Sequence, residues 1–181
     1  MTNDIASELA KLHELTGAEF SRQVERIAQM KVFHPLEENG NIYSVGLKKS
    51  DDYDNLLAAA KKAVTHGYTV YMLPNPEEGR TADFIFEKKG LYRLYELKTI
   101  FGKSSVRQDL LDSIGQCNRI LLNLTRDYST RLLGYAIKSY FEINDKAIEV
   151  LIFKGGKHIS VKRVIAISDV FFPIFKKAYE R

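Results

Sequence analysis

The chain has 181 residues, 45% of them hydrophobic and 28% charged, with no low-complexity tract; that is enough for one domain with a substantial core and too ordinary for a disordered or fibrous protein. A net charge of +4 admits a polyanionic partner without requiring one. The single cysteine, Cys117, excludes an intramolecular disulfide and a cysteine-rich zinc cage, and His13, His34, His66 and His158 are scattered rather than spaced as metal ligands.

From the N-terminus, Ile5, Leu9, Leu12 and Leu15, then Phe20, Val24, Ile27 and Met30 after Gly17, recur at spacings of three and four. This predicts one or two amphipathic helices over residues 3 to about 31. The opening "MTNDIASELAKLHEL" has neither the basic start nor the apolar stretch of a signal peptide. No apolar run approaches the roughly 20 residues that span a bilayer. The expectation is a cytoplasmic protein, or an effector delivered by other means, without a membrane partner. "VFHPLEENGNIYSVGLKKSDD" carries Pro35, Gly40 and Gly46 and reads as a connector. Residues 1–48 are therefore expected to form a helical arm and connector, and 49–181 the main domain.

"DNLLAAAKKAVTHG" is a run of strong helix formers with Gly67 placed as a C-terminal cap. "YTVYML" alternates as a strand and is stopped by "PNPEEG". Two further strands, 82–87 and 91–98, flank Lys89 and Gly90. Beyond them Val106, Leu110, Ile114, Cys117, Leu121 and Leu124 fit one helical stripe, and Leu132 to Phe141 a further helix. "IEVLIF" and "HISVKRVIAI" read as late strands around Gly155 and Gly156, and "SDVFFPIFKKAYE" as a last helix interrupted or kinked at Pro173. "FKGGKH" lacks the spacing of a phosphate loop and reads as a hairpin turn.

The chemistry is concentrated in the hairpin. With the turn at Lys89 and Gly90, Glu87 falls opposite Tyr92, Ile85 opposite Leu94 and Asp83 opposite Glu96; side chains alternate, so Asp83, Glu96 and Lys98 share a face. Opposed carboxylates on a sheet repel by roughly 0.2–1 kcal/mol. A divalent cation reverses the sign, and carboxylate oxygens suit Mg²⁺ or Mn²⁺ without a histidine or cysteine cage. The ammonium could then help position or deprotonate a water and offset charge on a phosphodiester. An ordinary ion pair on a solvated face is the alternative, but "ADFIF" and "LYRLYEL" are otherwise apolar and point to a buried sheet. Lys103 with Ser104 and Ser105, ahead of a helix carrying Arg107, and Arg119 beyond it, could receive phosphates; a serine cap and a solvated basic turn explain the same residues.

Asp83 followed by Glu96-Leu97-Lys98, in the order helix, antiparallel strands, crossover helix and strand, resembles the PD-(D/E)XK nuclease superfamily, although Thr81 and Ala82 stand where its namesake proline would be. "GYTV" at 67–70, "ADFIF", "ELKT" and "SIGQCNRILLNL" at 113–124 are similar to the C-terminal tRNase domains of contact-dependent growth inhibition toxins, over about residues 52–165. The resemblance implies an α+β (α/β) fold with a restriction-endonuclease-like core, a mixed sheet with an antiparallel hairpin flanked by helices, and the helical arm as an addition. It implies a Mg²⁺-dependent nuclease acting on RNA, tRNA included, with Asp83, Glu96, Lys98 and Gln116 catalytic and Thr99 near the substrate. A third acid from the preceding helix, Asp54, would join Asp83 and Glu96 on the metal, unless it serves only the helix dipole; Gln116 could equally be a surface residue on a helix flank. A toxic nuclease would also need a cognate immunity or inhibitor protein. The alternatives are a DNA endonuclease of a mobile element or defence system, and a non-catalytic nucleic-acid-binding or protein-interaction module.

Overall fold

The computed structural model describes residues 2–46, 52–75, 82–102 and 106–181. They divide into two compact units, Met1–Tyr95 and Glu96–Arg181. Among the described residues are seven α-helices and eight strands, the strands hydrogen-bonded in sequence order from β1 to β8.

The first unit opens with α1 (Thr2–Ala10), a 3-10 turn (Lys11–His13) and α2 (Gly17–Ala28). The expected apolar stripes are inward: Ile5, Leu9, Leu12, Val24 and Ile27 are buried. Glu8 is buried with them because it is fully engaged: the Gln23 amide donates to its carboxylate at 2.6 Å and Lys11 donates to it as well. The segment read as a connector contributes β1 (His34–Leu36) and β2 (Asn39–Ser44) to the sheet. Helix α3 (Tyr53–Thr65) ends as its glycine foretold. The N–H of Gly67, at φ +83°, donates to Val64 O, and the N–H of Tyr68 to Ala63 O, the Schellman pattern that satisfies the last carbonyls. Helix α3 lies against β2 and β3 (Thr69–Met72), which run parallel with Ile42 level with Val70. Strands β4 (Phe84–Lys88) and β5 (Leu91–Ile100) complete an antiparallel meander, and their register is the expected one, Glu87 with Tyr92 and Ile85 with Leu94. The turn has positive φ at both Lys89 (54°) and Gly90 (76°), as a two-residue hairpin loop requires.

The second unit begins with the last five residues of β5. They pair in parallel with β6 (Arg119–Leu124) after the crossover helix α4 (Val106–Asp112). Strand β6 pairs in parallel with β7 (Glu149–Lys154) after α5 (Thr130–Ile143), and β8 (Lys157–Lys162) returns antiparallel across the Gly155–Gly156 turn. Ile100, Val106, Leu110, Ile120, Leu122, Ile137, Val150 and Ile152 share one core.

Three expectations are corrected here. The apolar stripe from Val106 to Leu124 is not one helix: α4 stops at Asp112, Gly115 takes φ +85°, and Ile120, Leu121 and Leu122 are fully buried in β6. A parallel strand buried on both faces reads as a continuous apolar run and can mimic helical spacing. "HISVKRVIAI" is a strand only to Lys162, then the short helix α6 (Arg163–Ala166). Pro173 neither interrupts nor ends α7 (Phe171–Glu180), because it sits in the first turn, where no N–H is needed for an intrahelical bond. No helix among the described residues is long and apolar enough to cross a membrane.

Candidate functional site

Strand alternation puts Glu96, Lys98 and Ile100 on one face of β5. Ile100 belongs to the core that Val106 and Leu110 of α4 also enter, so the same face carries the charged pair. Glu96 is 8% exposed. Its Oε1 accepts a hydrogen bond from Lys98 Nζ at 3.2 Å. A carboxylate this deep in an apolar sheet needs charged or hydrogen-bonding partners, since a buried unpaired charge is costly.

Lys98 has a second acidic neighbour that sequence reading did not single out. Asp109 lies on the inward side of α4, one turn after the buried Val106 and beside the buried Leu110. Burial pushes its carboxyl above the ordinary range, the charge of Lys98 draws it back down, and Asp112 raises it. The only available signal was an acid placed at the edge of the Val106–Leu110 apolar stripe. Cys117 is also close: burial drives its thiol to about 11, with a smaller rise from the Glu96 carboxylate and opposing pulls from Arg119. A thiol raised in this way is largely protonated at neutral pH, which makes it a weak nucleophile.

Asp83 belongs to the first unit. It immediately precedes β4, its N–H donates to Tyr95 O at 3.0 Å, and its carbonyl accepts from Leu73 N–H at 2.9 Å. The paired register of β4 and β5 ends at Phe84 with Tyr95. Asp54 is exposed in the first turn of α3, where a carboxylate complements the helix dipole. Among the described residues no three His, Cys, Asp or Glu side chains gather in a group that could hold a metal ion.

Gln116 is not on a helix. It stands in the turn after α4, and its Nε2 donates to Asp112 O at 2.9 Å. Thr99 faces away from Lys98, and its buried Oγ1 has no hydrogen-bond partner among the described residues. Arg107 is exposed on α4. Arg119 is engaged inside the second unit, with Nε 3.3 Å from Glu149, and Glu149 also takes a 2.9 Å ion pair from Lys162 and a hydrogen bond from Ser160. Lys103, Ser104 and Ser105 lie outside the described residues.

No protein-family model matches the chain, and no curated protein matches it. Among solved structures, the CdiA-CT/CdiI toxin and immunity complex from Burkholderia pseudomallei is similar with a TM-score of 0.43 and 16% identity, over 60% of this chain and 83% of that one.

Proposed function

We propose that the protein is a metal-dependent nuclease that hydrolyses phosphodiester bonds, with RNA, tRNA included, as its favoured substrate. The observation that carries this reading is the buried Glu96 joined to Lys98 by a 3.2 Å hydrogen bond on the strand face that also carries the buried Ile100. The sequence adds Asp83 as a second carboxylate, and Glu96-Leu97-Lys98-Thr99 as the motif of which it is part.

The donor set suits Mg²⁺ or Mn²⁺, which take one or two carboxylates with several waters. Asp83 and Glu96 would hold the ion. When bound, it supplies a Lewis acid for the phosphate and lowers the pKa of a coordinated water. Lys98, carried two residues beyond Glu96 on the same face, would bring its ammonium to the phosphate oxygens as negative charge builds on them. The exposed Arg107 of α4 is open to phosphate, whereas Arg119, held by Glu149, serves the fold. The preference for RNA rests on the toxin-like motifs "GYTV" and "ELKT", and those same motifs are why an inhibitor protein is expected as a partner; neither carboxylates nor lysine distinguish a 2′-hydroxyl.

The test is cleavage of tRNA, single-stranded RNA and duplex DNA by wild type and Glu96→Gln, with Mg²⁺ or Mn²⁺ and with EDTA. Metal-dependent cleavage that falls by about 10²-fold or more in the variant, with circular dichroism unchanged, supports the nuclease and identifies its substrate. Cleavage of duplex DNA alone would replace RNA by DNA. Absence of both cleavage and millimolar metal binding in wild type would refute the reading and leave a nucleic-acid-binding or protein-interaction module.

A further inference from the structure

The inward residues of α5, Leu133, Ile137 and Tyr140, share a core with Ile100 of β5 and Leu110 of α4, so the helix is fixed to the strand that carries Glu96 and Lys98. On its outer side Arg131, Tyr135 and Lys138 follow at spacings of four and three, which makes them neighbours along the helix surface. Phe172, in the first turn of α7, completes the group, its ring centroid 4.8 Å from that of Tyr135. Gly134 permits this approach, since a Cβ there would stand 3.0 Å from Phe172 Cε1. The Arg131 guanidinium lies 5.7 Å over the Tyr135 ring and the Lys138 ammonium 6.0 Å over the Phe172 ring. Both distances are at the outer limit of a cation–π contact, about 6 Å, so each cation is held loosely and can turn to a stronger partner. Among the described residues neither is in an ion pair with a carboxylate. Tyr135 is 51% exposed, and the surface therefore offers an open aromatic ring beside two cations that no acid neutralises.

We propose that Tyr135 and Phe172, with Arg131 and Lys138 beside them, form a stacking platform for a single-stranded segment of nucleic acid. A nucleotide has two parts to satisfy, a flat base and a charged phosphate, and aromatic faces next to cations meet both. A base arriving on Tyr135 takes the face over which the guanidinium is loosely held, and Arg131 turns to the phosphate. Lys138, one turn further along α5, meets the next phosphate. An acidic protein surface would engage the two cations but has no flat ring system to lay on Tyr135, so the paired rings favour the nucleic acid. The platform includes neither Glu96 nor Lys98 and is a binding surface in addition to the proposed metal site. The choice of occupant rests on the nuclease reading; binding is measured separately from cleavage.

The experiment measures fluorescence anisotropy of a labelled oligoadenylate and of an abasic strand of the same length on the full chain in EDTA, with polyglutamate as a competitor. Tyr135→Ala should weaken oligoadenylate binding by about 5- to 150-fold and leave the abasic strand unchanged, and Tyr135→Phe, which keeps the ring, should bind as wild type. Arg131→Gln and Lys138→Gln should weaken both strands, and each should lower the slope of log affinity against log salt by about 0.7. Circular dichroism checks that every variant is folded. Oligoadenylate binding indifferent to Tyr135, an equal loss on the abasic strand, or no binding of either strand by wild type overturns the proposal. Polyglutamate that binds more tightly than oligoadenylate in a Tyr135-dependent way also overturns it and makes the patch a face for an acidic protein. Wild type that cleaves RNA with a KM indifferent to Tyr135→Ala refutes the platform and leaves the nuclease intact. Wild type without cleavage whose oligoadenylate binding depends on Tyr135 refutes the nuclease and upholds the platform.

Discussion

Glu149→Ala should be among the most damaging single changes in the second unit. The carboxylate opens β7 with its side chain 3% exposed, and it is paired with Arg119 at 3.3 Å and with Lys162 at 2.9 Å. Removing one member of a buried ion pair costs about 3–5 kcal/mol, chiefly by stranding the partner's charge. The partners differ in how much they would suffer. Lys162 is 42% exposed and can turn to water, whereas Arg119 is 20% exposed and cannot do so without leaving the sheet. The expected loss is therefore near the lower end, about 3 kcal/mol. Glu149→Gln keeps an acceptor for Ser160 and should cost about 1–3 kcal/mol. Arg119→Met with Glu149→Met removes both charges and should restore most of the loss. Equilibrium urea unfolding of the full chain, followed by circular dichroism, measures all three. A cost below about 1 kcal/mol for Glu149→Ala, the value of a surface pair, would refute the view that Arg119 is committed to the fold and would return it to the list of phosphate contacts.

Glu8 gives a pH dependence. Its carboxyl is held below the ordinary 4.5, first by the hydrogen bond from Lys11 and then by that from Gln23, against burial. A folded-state pKa below the unfolded one contributes stability above the unfolded value, lost as pH falls through the folded value; urea midpoints should therefore drop from about pH 4.5 downward, and less steeply in Glu8→Gln, with identical slopes refuting the assignment. Lys89 holds φ 54° in the hairpin turn, so Lys89→Asn should raise stability by about 0.5–1 kcal/mol in the same assay; no gain would argue against a left-handed residue there. Cys117, with its thiol near 11, should react with iodoacetamide at pH 8 on the order of 10²-fold more slowly in the native protein than in urea, and comparable rates would show that the thiol is not so buried.

The parts of the fold that could be read from sequence are those whose cause is local. The alanine-rich run before Gly67 specifies α3 and its cap, and Lys89-Gly90 between alternating residues specifies the register of β4 and β5. The misread stretch, 113–124, failed because Ile114, Cys117, Leu121 and Leu124 satisfy helical spacing while Ile120, Leu121 and Leu122 satisfy a buried strand, and only the neighbouring strands β5 and β7 decide between them. Glu96 and Lys98 stood out as charges in an apolar run. Arg119 did not reveal its role, because a basic residue carries no label for its partner: Glu149 is 30 residues from Arg119.

The pair of the buried Glu96 and the half-buried Lys98 can be asked whether it exists for stability at all. Both side chains sit on the face that otherwise carries Ile100, Ile120 and Leu122, and burying two charges there incurs a desolvation cost that their attraction recovers only in part. If stability were their sole purpose, two apolar residues of similar volume would serve as well or better. Glu96→Met with Lys98→Met should thus leave the urea midpoint within about 1 kcal/mol of wild type or raise it, whereas Lys98→Met alone, which takes the ammonium away from a carboxylate 8% exposed, should cost more than the double change. A double variant as stable as wild type but devoid of metal-dependent cleavage would mean that the charges are kept for chemistry. A double variant several kcal/mol less stable would mean that the ion pair organises this face of the sheet, and the argument for a catalytic Glu96 would lose its physical basis.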